Sequence, residues 1–229
     1  MQKRFYELDG ERFIIVSADG FGGKTTQEQA DLTLARIRED LEKSGSCFDN
    51  IMRITVYMKN REMWDAVREA RQRLFPKESR PASASIFVGG FRPEEALVAI
   101  EATALANPKS VPKRAIEFDP PRLYLKALVA DRFAFLSGTG GEGQTEEEQA
   151  VACFKTLSSY LEELRGSVQH LRRVAIYLKQ MDAMEKIIRV VHRFFGRNKL
   201  CWEVIPATGF AREEMLLEID GTAIVRRAP

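Results

Sequence analysis

The chain opens with an apolar pattern that predicts a β-hairpin and then a helix. Short runs rich in aromatic and β-branched residues occupy positions 4–8 and 12–16, and an Asp-Gly pair between them favours a two-residue turn. Apolar residues then recur at helical spacing, and Thr25 followed by Glu28 has the sequence of an N-terminal capping box. The pattern therefore predicts two paired strands followed by a long amphipathic helix.

The rest of the first half completes one predicted α+β unit. Its apolar runs favour a strand at 51–59, a second helix at 62–75 and two further strands at 84–89 and 97–105. The order ββαβαββ predicts a mixed sheet with both helices on one face. Because the strands carry apolar residues in both alternating phases, we expect the other face to be buried as well, by association of sheet against sheet.

The second half of the chain repeats the first. Matching residues lie 120 positions apart through most of the sequence and 119 apart near the ends. The matches include Ser17 with Ser137, Thr25 with Thr145, Glu28-Gln29-Ala30 with Glu148-Gln149-Ala150, Tyr57 with Tyr177, and Gly90-Phe91 with Gly209-Phe210. This repeat predicts two tandem domains, at 1–107 and 122–229, joined by a proline-rich linker at 108–121.

Composition and charge narrow the classes of function. The 229 residues include 35 basic and 33 acidic side chains that are interleaved along the chain, so we expect no nucleic-acid partner. No apolar run is long enough for a membrane span and no leader-like segment opens the chain, so we expect a cytoplasmic protein. Three scattered cysteines and two histidines favour a reducing compartment and no metal site, and no cofactor motif stands out.

Six motifs, taken in order, make each half recognisable. They are the strand ends Ser17-Ala18 and Ser137-Gly138, the Glu-Gln-Ala helix opening, the strand at 55–59, the Arg80-Pro81-Ala82-Ser83 turn, and the segment at 91–102. Together they resemble the RidA/YjgF/UK114 family, also called endoribonuclease L-PSP. The resemblance implies a chorismate-mutase-like fold and a homotrimer with clefts for small metabolites between neighbouring units. It also implies hydrolysis of reactive imines and enamines derived from amino acids, which releases ammonia and a 2-keto acid.

The family's site residues are only partly kept. Family members bind the substrate carboxylate with an arginine in a Pro-Ala-Arg-Ser turn, where this chain has Ser83. The family carboxylate that positions the hydrolytic water is replaced by Ala99 in the first repeat and matched by Glu218 in the second. Tyr124 also stands at a family tyrosine position in the second repeat. The resemblance therefore implies that the first repeat has lost the essential chemistry of its own cleft.

The second repeat supplies most of the expected site. Lys199, nearest to the missing arginine, would hold an anionic substrate, Glu218 would orient or activate water, and Ser137 with backbone amides would bind the carboxylate. The other expected substrate-binding residues are Tyr124, Gly138, Cys201, Trp202, Ser17 and Arg68.

Each candidate also has a structural interpretation. Glu218 alternates with apolar residues along a strand and fits a solvated or interface position, and Ser137 fits a strand end. Cys201 has no histidine near it in sequence, which favours a small buried side chain over a nucleophile. Trp202 fits a packed sheet interface, and Arg68 fits the exposed surface of the second helix.

Three classes of function stay open at this stage. The first is a diverged tandem enzyme that acts on a small carboxylate or carbonyl metabolite, by imine or enamine hydrolysis. The second is a lyase or cyclisation enzyme similar to chorismatases, which resemble two linked domains of this kind. The third is a binding or scaffold protein that has lost the catalytic groups. An RNase is disfavoured, because the chain has neither a histidine pair nor a basic face.

Overall fold

The first domain has the predicted α+β order. The structure, a computed structural model, describes residues 2–75, 80–122, 124–196 and 200–226. The elements of this domain are β1 (Gln2–Leu8), β2 (Glu11–Asp19), α1 (Thr26–Lys43), β3 (Ile51–Met58), α2 (Met63–Leu74), β4 (Ala82–Phe87) and β5 (Val98–Leu105). They form a five-stranded sheet in the order β1-β2-β5-β3-β4, in which β3 and β4 are parallel and the other pairs are antiparallel. The predicted ββαβαββ fold class is confirmed for this repeat.

The second domain repeats this order and adds one strand. Its elements are β6 (Arg114–Ile116), β7 (Ala127–Ala130), β8 (Phe133–Thr139), α3 (Glu146–Glu162), β9 (Leu171–Leu178), α4 (Met184–Phe195), β10 (Cys201–Pro206) and β11 (Leu217–Ile224). The sheet order is β10-β9-β11-β8-β7-β6. Strand β6 lies in the proline-rich segment 108–121, in the proline-free stretch between Pro112 and Pro120, and pairs antiparallel with β7. Part of that segment therefore extends the second sheet.

The predicted helix starts are present in both repeats. The Thr25 side chain accepts a hydrogen bond from the Glu28 backbone N–H, and the Glu28 carboxylate accepts one from the Thr25 N–H. Thr145 and Glu148 form the same capping box at α3. These bonds satisfy backbone donors that the first helical turn leaves without partners.

Each sheet is covered by helices on one face and by the other sheet on the opposite face. In the first domain, Leu34 and Ile37 of α1 pack with Ile54 and Val56 of β3. The opposite faces of the two sheets bury a shared apolar layer, which includes Phe13, Met52, Leu128, Phe135, Ile86 and Tyr177. The predicted sheet-against-sheet burial therefore occurs within a single chain. No helix in the described ranges is both long enough and apolar enough to cross a membrane.

A buried ion pair crosses between the sheets. Nη1 of Arg53 on β3 lies 2.8 Å from Oδ1 of Asp220 on β11, and the two side chains are 4% and 0% exposed. Asp220 also accepts hydrogen bonds from Arg173 and from the Tyr177 hydroxyl. Both carboxylate oxygens of Asp220 therefore accept hydrogen bonds, and a buried charge requires such partners. The network fixes how the two repeats face each other.

Candidate functional site

A cavity of about 990 Å³ lies between the two repeats. One wall comes from α2 and β4 of the first repeat, and the other from β8, α3, β11 and the segment that leads into β7. We call it the inter-repeat cavity. Its volume is in the range of sites for small metabolites. Among the described residues, no group of three or more His, Cys, Asp or Glu side chains is placed to hold a metal ion.

Glu218 is the buried acid of the inter-repeat cavity. It lies on β11 opposite Tyr177 of β9, is 6% exposed, and accepts a hydrogen bond of 3.3 Å from the Ser85 backbone N–H across the domain boundary. Burial raises the pKa of Glu218 to about 8; the Ser85 N–H opposes this rise and the charge of Asp220 adds to it. The carboxyl is therefore mostly protonated at neutral pH and can donate a proton.

Gly138 makes room for the Glu218 carboxyl. Both residues line the cavity, and a Cβ atom added at Gly138 would lie 2.0 Å from Oε1 of Glu218. No side chain can share that space without moving the carboxyl. The Ser-Gly strand end that marks this repeat is thus a steric requirement of the buried acid.

A short set of hydrogen bonds joins the two walls beside the acid. The Ser83 backbone N–H of β4 donates to Oγ of Ser137 on β8 at 3.0 Å. Ser137 is 1% exposed, and its own backbone N–H donates to the carbonyl of Lys126. Together with the bond from Ser85 to Glu218, this contact holds β4 against the part of the second repeat that carries Glu218.

The cavity is strongly cationic. Six basic side chains line it against two acidic ones, Glu142 and Glu218. The six are Arg68, Arg71, Arg80, Arg122, Lys155 and Arg212. Because Glu218 is mostly neutral at pH 7, the charge of the walls favours an anionic ligand.

Aromatic rings form an apolar side of the same cavity. Phe118 packs edge to face on Tyr124 and on Tyr160, with ring centroids 5.1 and 5.8 Å apart. The Arg122 guanidinium lies 4.4 Å from the Phe118 ring centroid and donates to the Tyr124 hydroxyl at 3.2 Å. Trp64 lines the opposite wall. A ligand with an unsaturated carbon skeleton fits such a surface.

The structure gathers some of the expected site residues and separates others. Glu218, Tyr124, Gly138 and Arg68 all line the inter-repeat cavity. Ser137 lies directly behind the wall, where its hydroxyl accepts the Ser83 N–H. Three candidates lie elsewhere, namely Ser17 on β2, the exposed Cys201 on β10, and Trp202, which packs against the helix-side core of the second domain. Lys199 lies outside the described residues.

Strand pairing also shows which residue of β10 in the second repeat corresponds to Ser83 of β4 in the first. Ser83 pairs with Ile54, and Trp202 pairs with Val174, the residue 120 positions after Ile54. Trp202 is therefore the counterpart of Ser83, at the family's arginine position, and Lys199 lies three positions earlier. The first repeat has a small serine where the second has a tryptophan packed on its own core. This difference in size accompanies the presence of the cavity beside Ser83.

Sequence reasoning missed most of the basic wall. Arg71 on α2, Arg80 before β4 and Arg122 before β7 line the cavity, but the sequence predicted a ligand-binding role for none of them. A basic residue on a helix surface carries no signal of its own, and Arg80 and Arg122 lie in irregular segments. The signal in the sequence that could have indicated other basic residues is Ser83, which stands where the resemblance implies a carboxylate-binding arginine.

Comparison with known proteins matches the repeat. The sequence model of the family described as Endoribonuclease L-PSP matches the chain twice, at residues 16–106 and 116–225. No curated protein sequence matches the chain.

Solved structures are similar to this chain at low sequence identity. A chorismatase covers 96% of this chain and 77% of its own, with 16% identity and a TM-score of 0.68. A YjgF/YER057c/UK114 family member from Mycobacterium tuberculosis covers 50% of this chain and 100% of its own, with 18% identity and a TM-score of 0.47. A YjgF family protein from Neisseria meningitidis covers 52% and 98%, with 26% identity and a TM-score of 0.47.

Proposed function

The chain belongs to the endoribonuclease L-PSP family as a tandem pair of domains, and on that basis we propose that it hydrolyses imines or enamines of small carboxylated metabolites. The reaction takes place in the inter-repeat cavity. The observation that carries the proposal is the buried Glu218 carboxyl, protonated at neutral pH inside a cavity lined by basic side chains.

Glu218 supplies and recovers one proton in this mechanism. Its neutral carboxyl donates a proton to the imine nitrogen, or to the β-carbon of an enamine, and the resulting iminium carbon becomes a strong electrophile. Water adds to that carbon to give a carbinolamine. Glu218 takes one proton from the added water and passes it to the nitrogen; ammonia then leaves as the carbonyl forms, and the hydroxyl returns its proton to Glu218. One water is consumed, one ammonia is released, and Glu218 ends protonated as it began.

The basic wall takes over the task of the missing family arginine. Ser83 cannot bind a carboxylate through a charge, but Arg71 and Arg80 lie on the same side of the cavity, on α2 and just before β4. Arg122 approaches from the second repeat. Guanidinium groups bind carboxylates through paired hydrogen bonds, so a substrate carboxylate has partners even without the strand arginine.

The test is an assay with enzymatically generated 2-aminoacrylate or iminopropionate, followed by ammonia and keto-acid release. We expect turnover above the control without protein, and a loss of about a hundredfold or more in Glu218→Gln. Because the proton donor is lost as Glu218 ionises, kcat/KM should be constant below pH 8 and fall about tenfold per pH unit above it.

Glu213→Gln is the matched control, since Glu213 is exposed and does not line the cavity. It should leave both the rate and the pH profile unchanged. A rate equal to the control without protein would reject the hydrolase and favour the binding protein. Full activity in Glu218→Gln would remove Glu218 from the mechanism.

A second candidate is a lyase or cyclisation reaction similar to that of the chorismatase. The observation in its favour is the shared fold over 96% of the chain at a TM-score of 0.68, which no single-domain relative can offer. Chorismate belongs in the same assay, and its conversion by a protein inactive on imines would select this candidate. Assembly as a homotrimer and residence in the cytoplasm complete the proposal; both are supported by family membership alone.

A further inference from the structure

The basic side chains of the inter-repeat cavity differ in whether the protein already neutralises them. Three have acidic partners: Arg68 with Asp65, Arg80 with Glu117, and Arg212 with Glu214. The other three have no acidic partner in the described ranges, and they are Arg71, Arg122 and Lys155.

The remaining charge is larger than one carboxylate can balance. Apart from the buried Glu218, Glu142 is the one acidic side chain of the cavity wall, and it has no basic partner in the part of the chain that the structure describes. Set against Arg71, Arg122 and Lys155, it leaves an excess of two positive charges. The substrate of the proposed imine hydrolysis needs only one negative charge.

Arg71 is the most informative of the three. It lies on the cavity side of α2, and the charged group that acts on it electrostatically is another cation, Arg80. Burial and the charge of Arg80 lower the pKa of Arg71 to about 10. Two guanidinium groups held close together repel each other unless an anion lies between them. A structural role for Arg71 would call for an acidic partner of the kind that Arg68 and Arg80 have.

We propose that the substrate carries two anionic groups, that Arg122 and Lys155 bind one of them, and that Arg71, beside Arg80, binds the second. The substrate class is therefore a dianion, either a dicarboxylate or a carboxylate with a singly charged tetrahedral oxyanion, on an unsaturated or aromatic carbon skeleton. The Phe118, Tyr124 and Tyr160 rings contact that skeleton. This inference rests on the proposed function for the location of the site, but it concerns which ligand the site selects.

Titration calorimetry with three matched probes tests the charge requirement. The probes are benzoate, isophthalate and 3-sulfobenzoate, which share one ring and differ in the second group. We expect both dianions to bind about tenfold or more tightly than benzoate, because the second anionic group gains a charge-assisted contact with Arg71. The tighter of the two dianions identifies the second group as a planar carboxylate or a tetrahedral oxyanion.

Two arginines of α2 provide the variant and its control. Arg71→Met should abolish the preference for dianions, whereas Arg73→Met should keep it, because Arg73 pairs with Asp31 and does not line the cavity. Arg71→Lys keeps the charge and should retain most of the preference, which separates loss of charge from loss of fold. Circular dichroism checks that each variant is folded.

Binding and turnover are read separately, so the two proposals can fail independently. Glu218→Gln should bind the dianions as the native protein does, whether or not imines are hydrolysed. Equal affinity of the native protein for benzoate and the dianions would overturn the inference, as would a preference that survives in folded Arg71→Met. Failure of all three probes to bind at millimolar concentration would overturn it as well.

Discussion

At the scale of single residues, the chemistry of the cavity depends on one absent side chain. Glu218 is buried because Gly138 leaves the space that its carboxyl occupies. In the first repeat, Ala99 takes the place of Glu218, and the pairing of Ala99 with Tyr57 and of Glu218 with Tyr177 confirms the correspondence. A glycine and a glutamate therefore form one functional unit across two strands.

Gly138→Ala tests that unit. The added methyl would lie 2.0 Å from Oε1 and 2.8 Å from Cδ of Glu218, so the carboxyl must leave its present position and its bond to the Ser85 N–H, and the variant should lose roughly 1 to 3 kcal/mol of unfolding free energy. Displacement of the carboxyl should also shift the upper limit of the activity profile away from pH 8. Urea unfolding and the pH dependence of kcat/KM measure the two effects.

Gly89→Ala is the control for this substitution. An added Cβ at Gly89 meets only the Thr208 methyl, at 3.9 Å, and the backbone there needs no left-handed conformation. Its stability and activity should stay within about 0.5 kcal/mol and twofold of the native values. Equal damage from both alanines would show that Gly138 has no special relation to Glu218.

The residues of the candidate site were predictable only where comparison of the repeats with each other and with the family indicated them. The family resemblance predicted the acid, because Glu218 matches the family's carboxylate position, which Ala99 occupies in the first repeat. The raised pKa of Glu218 was not predictable, because it arises from burial where the two repeats meet. The place of Arg71 in the cavity was not predictable for the same reason, since its neighbours there are distant in sequence.

At the scale of elements, a glutamine at the start of each long helix braces the loops around it. Gln149 of α3 donates through Nε2 to the carbonyls of Gly143 and Glu214, and its Oε1 accepts the Leu216 N–H. Gln29 of α1 makes the same three kinds of bond, to Gly23, Glu95 and Leu97. In the second repeat, these bonds hold the loops that follow β8 and precede β11 at the cavity.

The two glutamines form a matched pair of variants. Gln149→Leu and Gln29→Leu should each cost on the order of 2 to 4 kcal/mol of unfolding free energy, because each leaves three backbone groups without a partner. Gln149→Leu should also weaken ligand binding at the inter-repeat cavity, whereas Gln29→Leu should not. Thermal unfolding and calorimetry measure the two properties. Equal effects of the two variants on binding would contradict a positioning role for Gln149.

The sequence predicted these elements well but not all their ends. The capping boxes at Thr25 and Thr145 gave the starts of α1 and α3, because a helix start is a local event. Strand β6 was missed, because a three-residue edge strand between prolines has no periodic pattern of its own. It exists only because β7 offers it backbone partners.

At the scale of the whole molecule, two sheets use each other as cover. The apolar residues in both phases of the strands predicted this burial, and Phe13, Met52 and Phe135 provide it. The contact between β4 and β8 was not predictable, because it depends on the tertiary arrangement of the repeats. The Arg53–Asp220 pair joins the same two sheets, and no other ion pair among the described residues is equally buried.

Arg53→Met tests how strongly the pair joins the repeats. Loss of the guanidinium leaves the charge of Asp220 at 0% exposure with fewer donors, so the variant should lose about 3 kcal/mol of unfolding free energy. Arg4→Met removes the ion pair to Glu101, which stands in the first repeat where Asp220 stands in the second, but Arg4 is 60% exposed. That change should cost less than about 1 kcal/mol. Equal losses in chemical denaturation would argue against a special role for the buried pair.

The division of the inter-repeat cavity between the repeats has a genetic consequence. One copy provides Arg71 and Ser83, and the other provides Glu218 and Gly138. Tandem duplications are commonly reversed by recombination between the copies, which leaves a single gene of ordinary length. Here a chain reduced to one of its two present repeats would lack either Glu218 or the Arg71 side of the cavity. The two halves are therefore bound together by inheritance as well as by packing, and selection acts on them as one gene.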